Sequence, residues 1–469
     1  LDKYCNIYNN WVSHCTTDMN NSSLYKERNE NAKERYVLAI ERIRQIPDEN
    51  ETEQQDFFNE CAQFIMCIDD IFSTILDGSF YKLSLDEMKK INLKMYKELF
   101  EDAYESSFLN PDFAAQKYCE SGELLSFIYS EIRAIVYYAF EKRIANITIL
   151  LELFIEIYGI FASSEDPLSD AKSTIRWFFH DYSEWFSADS IITGIDPSED
   201  FFTDIIMNSE LDDSRYLFSY GAYIGENEIM LSKYLSEQSE ETIKKIAQTY
   251  TEGYRKGFEV AGKDLTKKST VMISYPIGFE RVVYQAILNF KEMGLLPTIA
   301  REKITSYTGT ASRKSGCYST SVNQQYDYDH RMDEGLFMDR ALMERKLEVL
   351  AKAYEDQKEL ISLYAGPAVI ETFGEVPFEP VSKPECVKLT KKQEELSIEY
   401  TQSSSKIVNT YVNREEYSFT IIAYPTPEIG ENFEEIFRET VKVNTLDKKM
   451  YREIQQALID ELNQAQNQF

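Results

Sequence analysis

The chain has 469 residues, 43% apolar and 13% aromatic, which is enough for packed cores and excludes wholesale disorder. Its 80 acidic and 50 basic residues leave a formal charge of −30, a field that repels phosphates and argues against binding to nucleic acid or to an anionic membrane surface. Only three histidines are present, His14, His180 and His330, so a site needing two or three imidazoles has to gather nearly all of them.

The first 215 residues read as helices almost throughout. Glu34 to Arg44 and Phe57 to Leu76 carry apolar residues at three- and four-residue spacing. Ser84-Leu-Asp-Glu87 is a capping box, and Leu85, Met88, Ile91, Met95 and Leu99 follow it on one stripe. Leu124 to Phe161 predicts two helices. Its last part, Ile144 to Phe161, is barely long enough to cross a bilayer, and Glu152 and Glu156 sit at its centre. Each buried carboxylate costs about 2.5–3.5 kcal/mol on insertion, so this segment predicts a helix buried among other helices.

Near residue 216 the text changes. Glu240 to Val260 predicts a helix with Ser239 as N-cap and Gly262-Lys-Asp as its close. Ser269 to Tyr275 is short, apolar and β-branched, and Pro276 ends it, which signals a strand. Phe279 to Met293 is an amphipathic helix, and Leu296 to Ile304 reads as a second strand. Strand, helix and strand in this order predict a parallel pair with a right-handed crossover. Residues 306 to 325 read as a polar loop. A helix over Met332 to Tyr364, a strand at Pro367 to Phe373, an extended piece at Phe378 to Glu385, a helix over Lys391 to Val412 and a strand at Ser418 to Tyr424 follow. Helices over Asn432 to Phe437 and Asp447 to Gln466 close the chain. The fold class is therefore α plus α/β: a helical domain over 1–215, an α/β domain with a mostly parallel sheet over 216–440, and a C-terminal helix over 441–469.

Cysteines number seven (Cys5, Cys15, Cys61, Cys67, Cys119, Cys317 and Cys386), with no CxxC pair. They read as reduced, mostly buried thiols of a cytoplasmic protein and not as a disulfide framework or zinc knuckle. Asn20-Asn21-Ser22 and Asn146-Ile147-Thr148 match the glycosylation pattern without a secretory context. The first residue is Leu1 and not Met, so a start further upstream is expected; no basic-then-apolar targeting segment is present.

Gly257-Phe-Glu-Val-Ala-Gly262-Lys263-Asp264 matches GxxxxGK, but Asp264 stands where a hydroxyl must hold magnesium, and the segment closes a helix instead of opening one. Gly262 reads as a helix cap and Lys263 as a cation at the helix end. Asp327-Tyr-Asp329-His330 with Asp333 and Glu334 is the densest set of potential metal ligands; it reads as helix initiation, with Asp329 or Asp333 at the N-cap. Asp69, Asp70 and Asp77 read as solvated acids, and Glu152 and Glu156 as paired with Arg143 or Arg133, or exposed. Arg313 and Lys314 read as part of a surface loop. No catalytic, cofactor-binding or metal-binding residue is assigned from the residues.

Several stretches carry a resemblance. They are Thr249-Tyr-Thr-Glu-Gly-Tyr-Arg-Lys-Gly-Phe258, Ser274-Tyr-Pro-Ile-Gly-Phe-Glu280, Asn323-Gln-Gln-Tyr-Asp-Tyr-Asp-His330, Tyr364-Ala-Gly-Pro-Ala368, Ser418-Phe-Thr-Ile-Ile-Ala-Tyr-Pro425 and Glu428-Ile-Gly-Glu-Asn-Phe-Glu-Glu435. Asp181-Tyr-Ser-Glu-Trp-Phe186 and Phe202-Thr-Asp-Ile-Ile-Met-Asn-Ser209 join them upstream. Together they resemble the leucyl aminopeptidases, the aminopeptidase T/S-like dinuclear metallopeptidases, in their long, acidic bacterial form. The resemblance implies an enzyme with two divalent ions of zinc or cobalt type, short peptides with a free N-terminus as substrates, and a homodimer. It also implies that this chain is the N-terminal, non-catalytic part, ending at Phe469 in the helix that leads towards the metal-binding domain. No metal ligand of the family maps onto this sequence. The alternative is a non-enzymatic helical and α/β interaction or oligomerisation module.

Overall fold

The computed structural model describes residues 23–302, 304–307, 316–445 and 448–464. His14, Cys5, Cys15, the Asn20-Asn21-Ser22 pattern, Arg313 and Lys314 lie outside these residues.

Several helices start where the sequence supplies an acceptor for their free N–H groups. Ser84 and Glu87 close the predicted capping box on Leu85–Tyr96, the Glu87 carboxylate accepting from Ser84 N at 2.8 Å. Ser239 caps Glu240–Val260 by accepting from Thr242 N. That helix closes through Gly262, whose φ of +66° lets Lys263 N reach back to Phe258 O at 2.9 Å. The Lys263 ammonium donates to Arg414 O and Tyr417 O at 2.9 and 2.7 Å, so it ties down a loop and reaches no phosphate site.

The stretch Leu124 to Phe161 holds three helices, not two: Gly122–Ile132, Ile135–Phe140 and Ile144–Ser163. The extra break falls at Arg133-Ala134; the expected one lies at the charged Glu141-Lys-Arg143, where Lys142 takes a left-handed φ of +55°. Ile144–Ser163 is long and apolar enough to cross a membrane, yet 72% of its most apolar window is buried inside the fold. It packs against Ser23–Gln45 and Pro167–Asp181. Glu152 pairs with Arg35, not with Arg143 or Arg133, and Glu156 is exposed. Asp69 is buried, accepting from the Tyr36 hydroxyl at 2.7 Å, while Asp70 and Asp77 are solvated.

Five parallel strands form the sheet: β1 (Thr270–Pro276), β2 (Leu296–Thr298), β3 (Cys317–Tyr318), β4 (Tyr364–Phe373) and β5 (Thr420–Pro425). The order is β2-β1-β4-β5, and β3 also pairs with β1. β2 is shorter than the predicted Leu296 to Ile304 because the chain leaves β1 after Thr298 and β3 enters the gap. Tyr275 N then bonds Gly316 O at 2.9 Å, and Cys317 N bonds Ala300 O at 2.8 Å. β3 thus lies inside the segment read as a loop. The segment Met332 to Tyr364 is not one helix. A 3₁₀ turn at Asp333–Leu336 precedes Arg340–Asp356, which is capped by Asp339, not by Asp329 or Asp333, and followed by Lys358–Ser362. β4 starts at Tyr364, and the helix predicted from Asn432 runs Phe433–Asn444. Gly366 has φ +110°, and a Cβ there would lie 1.8 Å from Ser418 O, so only glycine lets β4 begin this close to the chain entering β5.

Helices Glu240–Val260, Glu280–Glu292 and Phe433–Asn444 pack on the sheet, while Ser183–Ile195 from the helical region packs against β1 and β2. One apolar cluster runs from Ala32 to Phe437. Helices continue past residue 215 to Val260, the first strand starts at Thr270, and the helical region and the sheet share this core.

Candidate functional site

Open parallel sheets bind ligands beyond the carboxyl ends of their strands. Here that edge is roofed by the helical region, and a cavity of about 230 Å³ lies between them. The chain leaving β2 supplies Glu302, Thr305 and Ser306; the chain leaving β3 supplies Ser319 to Asn323. Gly122–Ile132 and the turn after it contribute Ser130, Glu131 and Arg133 from above.

Glu131 is 4% exposed, and its Oε1 accepts from Ser306 N at 2.7 Å. Burial pushes its carboxyl up to about 7 against that hydrogen bond. Its Oε2 has no hydrogen-bond partner among the described residues. The Tyr326 and Ser130 hydroxyls lie 2.8 Å apart, and Asn323 donates to Leu99 O at 2.9 Å, fastening the two walls together.

The acidic cluster read from the sequence is divided by the fold. Asp327, His330 and Asp333 line the cavity, with Asp327 exposed. Asp329 points elsewhere, into a buried network with Tyr104, Gln325 and Lys383. His330 Nδ1 lies 2.7 Å from Asp333 Oδ2 and Nε2 lies 2.8 Å from Leu109 O. Burial alone lowers an imidazole pKa, but the Asp333 carboxylate and the Leu109 carbonyl outweigh it and hold His330 above the usual histidine value. Both ring nitrogens face acceptors, so neither lone pair is offered to a metal.

Among the described residues no group of three or more His, Cys, Asp and Glu side chains is placed to hold a metal ion. Among the described residues no ligand set for two divalent ions is seen. Cys61, Cys317 and Cys386 are buried free thiols, Cys67 is half-buried and Cys119 is exposed. Glu131 and Glu302 were not singled out from the sequence, and Arg133 was named only as a partner for Glu152 or Glu156; the available signal was a pair of charges, Glu131 and Arg133, inside a mostly apolar run.

A second buried acid stands behind β1. Glu280 is fully buried, and its Oε2 accepts from Tyr216 Oη and Gly278 N, each at 2.8 Å. Burial pushes its pKa up to about 7 against these bonds, from 4.5. Between those values the folded state keeps a proton that the unfolded state has released, so stability falls as pH rises from about 4.5 to 7 and stays low above. Glu280→Gln removes this loss. Urea unfolding of both proteins across that range is expected to show the variant gaining about 3 kcal/mol relative to wild type by pH 8, and parallel curves would contradict the assignment.

No family model matches the chain, and neither a curated protein nor a solved structure matches it.

Proposed function

We propose that this chain is the N-terminal, non-catalytic part of a metal-dependent aminopeptidase of the leucyl aminopeptidase type, cytoplasmic, acting in the intact protein on short peptides with a free N-terminus. In this reading the hydrolytic residues and the two divalent ions belong to another part of the protein, and this part roofs their site. The observation that supports the non-catalytic part of this reading is the use of His330. The chain's one buried described histidine is spent between Asp333 and Leu109, while His180 lies half-buried beside Asp181 and the ring of Trp177.

The reading includes a homodimer. On the helix Lys448–Gln464, Ile454, Leu458, Ile459 and Leu462 are all exposed and recur at helical spacing, an apolar stripe suited to a second copy.

The test compares the product of the complete reading frame with the 469-residue chain on aminoacyl-arylamides. The complete product is expected to cleave and to lose activity with a chelator, and the 469-residue chain to be inactive. Cleavage by the 469-residue chain itself overturns the assignment. A complete product that neither binds divalent metal nor cleaves does so too, and leaves the interaction-module reading.

A further inference from the structure

The two faces of the sheet are covered unequally. On one, Ala368, Ile370 and Tyr424 are buried beneath Glu240–Val260 and Phe433–Asn444, with the Tyr424 and Phe437 rings stacked at 4.8 Å. On the other, Ser183–Ile195 packs against β1 and β2, and its Gly194 O accepts from Thr298 Oγ1 at 2.8 Å. Met272 pairs with both Thr298 and Pro367, which places Val369, two residues further along β4, on that second face. Val369 lies beside Ile421 and Glu371 beside Ala423, so Val369, Glu371 and Phe373 share the face with Phe419, Ile421 and Ala423. Phe419 is 61% and Ile421 53% exposed, and Glu371 and Phe373 are exposed too. Parallel sheets are normally covered on both faces by helices, and this half of the second face is bare.

The chain carries a helix of the kind the face lacks. Lys448–Gln464 presents Ile454, Leu458 and Leu462 at four-residue spacing, and every residue from 453 to 464 is exposed, so nothing among the described residues covers that stripe. A 17-residue helix without tertiary contacts is marginal in water, so covering the stripe stabilises it. The helix also departs from the right place. β5 is the last strand on its side of the sheet, and Asn444 Nδ2, four residues before Lys448, donates to Ala423 O at 3.2 Å on its outer edge. The charges agree as well: residues 448 to 452 include Lys448, Lys449 and Arg452 and no acid, whereas the bare face carries Glu371.

Starting from the homodimer of the preceding reading, but not from its peptidase chemistry, we propose that the bare face of β4 and β5 receives the helix 448–464 of a second copy, each chain giving its helix and taking its partner's. A two-fold axis makes the two contacts equivalent and closes the assembly at two chains.

Sedimentation of the 469-residue chain at micromolar concentration is expected to show a dimer. Leu458→Glu on the helix and Ile421→Lys on the face each replace an exposed side chain, and each is expected to weaken dimerisation tenfold or more in a chain that stays folded by circular dichroism. A second measurement needs neither variant. A photo-crosslinking side chain in place of Leu458 is expected to attach to residues 367–373 or 417–425 of the other copy, read in dimers mixed from isotope-labelled and unlabelled chains. A monomer at every concentration overturns both the docking and the homodimer. A dimer indifferent to Ile421→Lys, or crosslinks confined to the partner's helix 448–464 or to the same chain, overturns the docking alone.

Discussion

Arg301→Ala is expected to lower the unfolding free energy by about 3–5 kcal/mol, the typical result of breaking a buried ion pair from one side. The Arg301 side chain is 9% exposed and that of Glu141 is 4% exposed. Arg301 Nε donates to Glu141 Oε1, and Nη2 donates to Tyr220 O at 2.7 Å. Arg143 Nε approaches the other Glu141 oxygen at 2.9 Å, and the Tyr137 ring lies 4.7 Å from the Arg301 guanidinium. Burial pushes the Glu141 carboxyl up, but Arg143 and Arg301 outweigh it and hold it below the usual glutamate value, so it stays ionised. Truncating Arg301 leaves that charge buried with one partner and orphans Tyr220 O. The pair also ties the helical region to the chain leaving β2, so the effect belongs to the joint between them. Arg301→Met combined with Glu141→Leu is expected to lose less than the two single losses added together. Urea unfolding decides it; a loss under about 1 kcal/mol for Arg301→Ala would contradict the account.

The second large effect is expected at Asp329. It is fully buried, and its oxygens accept from Tyr104 Oη at 2.8 Å and from Lys383 Nζ and Gln325 Nε2, each at 2.7 Å. Lys383 also donates to Asn110 Oδ1 at 2.8 Å. These bonds hold the segment 374–389, which has no helix or strand and exposes Val376, Phe378 and Val381. Asp329→Ala strands a nearly buried ammonium and a tyrosine hydroxyl, so a loss of about 3–5 kcal/mol is expected, with Asp329→Asn between it and wild type. Limited proteolysis is expected to cut the variant first within 374–389. First cleavage elsewhere, at an unchanged midpoint in urea, would show that Asp329 does not hold this segment.

What the sequence reveals follows from how local each signal is. Ser84 and Glu87 sit three residues apart, so their capping box is readable and is present. β1 is apolar, β-branched and stopped by Pro276, and it forms nearly as read. β3 has two residues and no pattern; it exists because β2 leaves a gap beside β1, which only the folded sheet defines. The cavity shows the same division. Asp327, His330 and Asp333 are neighbours in sequence and drew notice together. Glu131 meets Ser306 across 175 residues, and no local spacing encodes that meeting. Asp329 looked like its neighbours in sequence, yet Tyr104 and Lys383, both distant, turn it into a structural hub.

The most direct measurement is the metal content of the 469-residue chain after dialysis against micromolar zinc or cobalt and removal of free ion. The account predicts that no divalent ion is retained stoichiometrically, because His330 is committed to Asp333 and Leu109. Two retained ions per chain, lost together in His330→Ala, would contradict it.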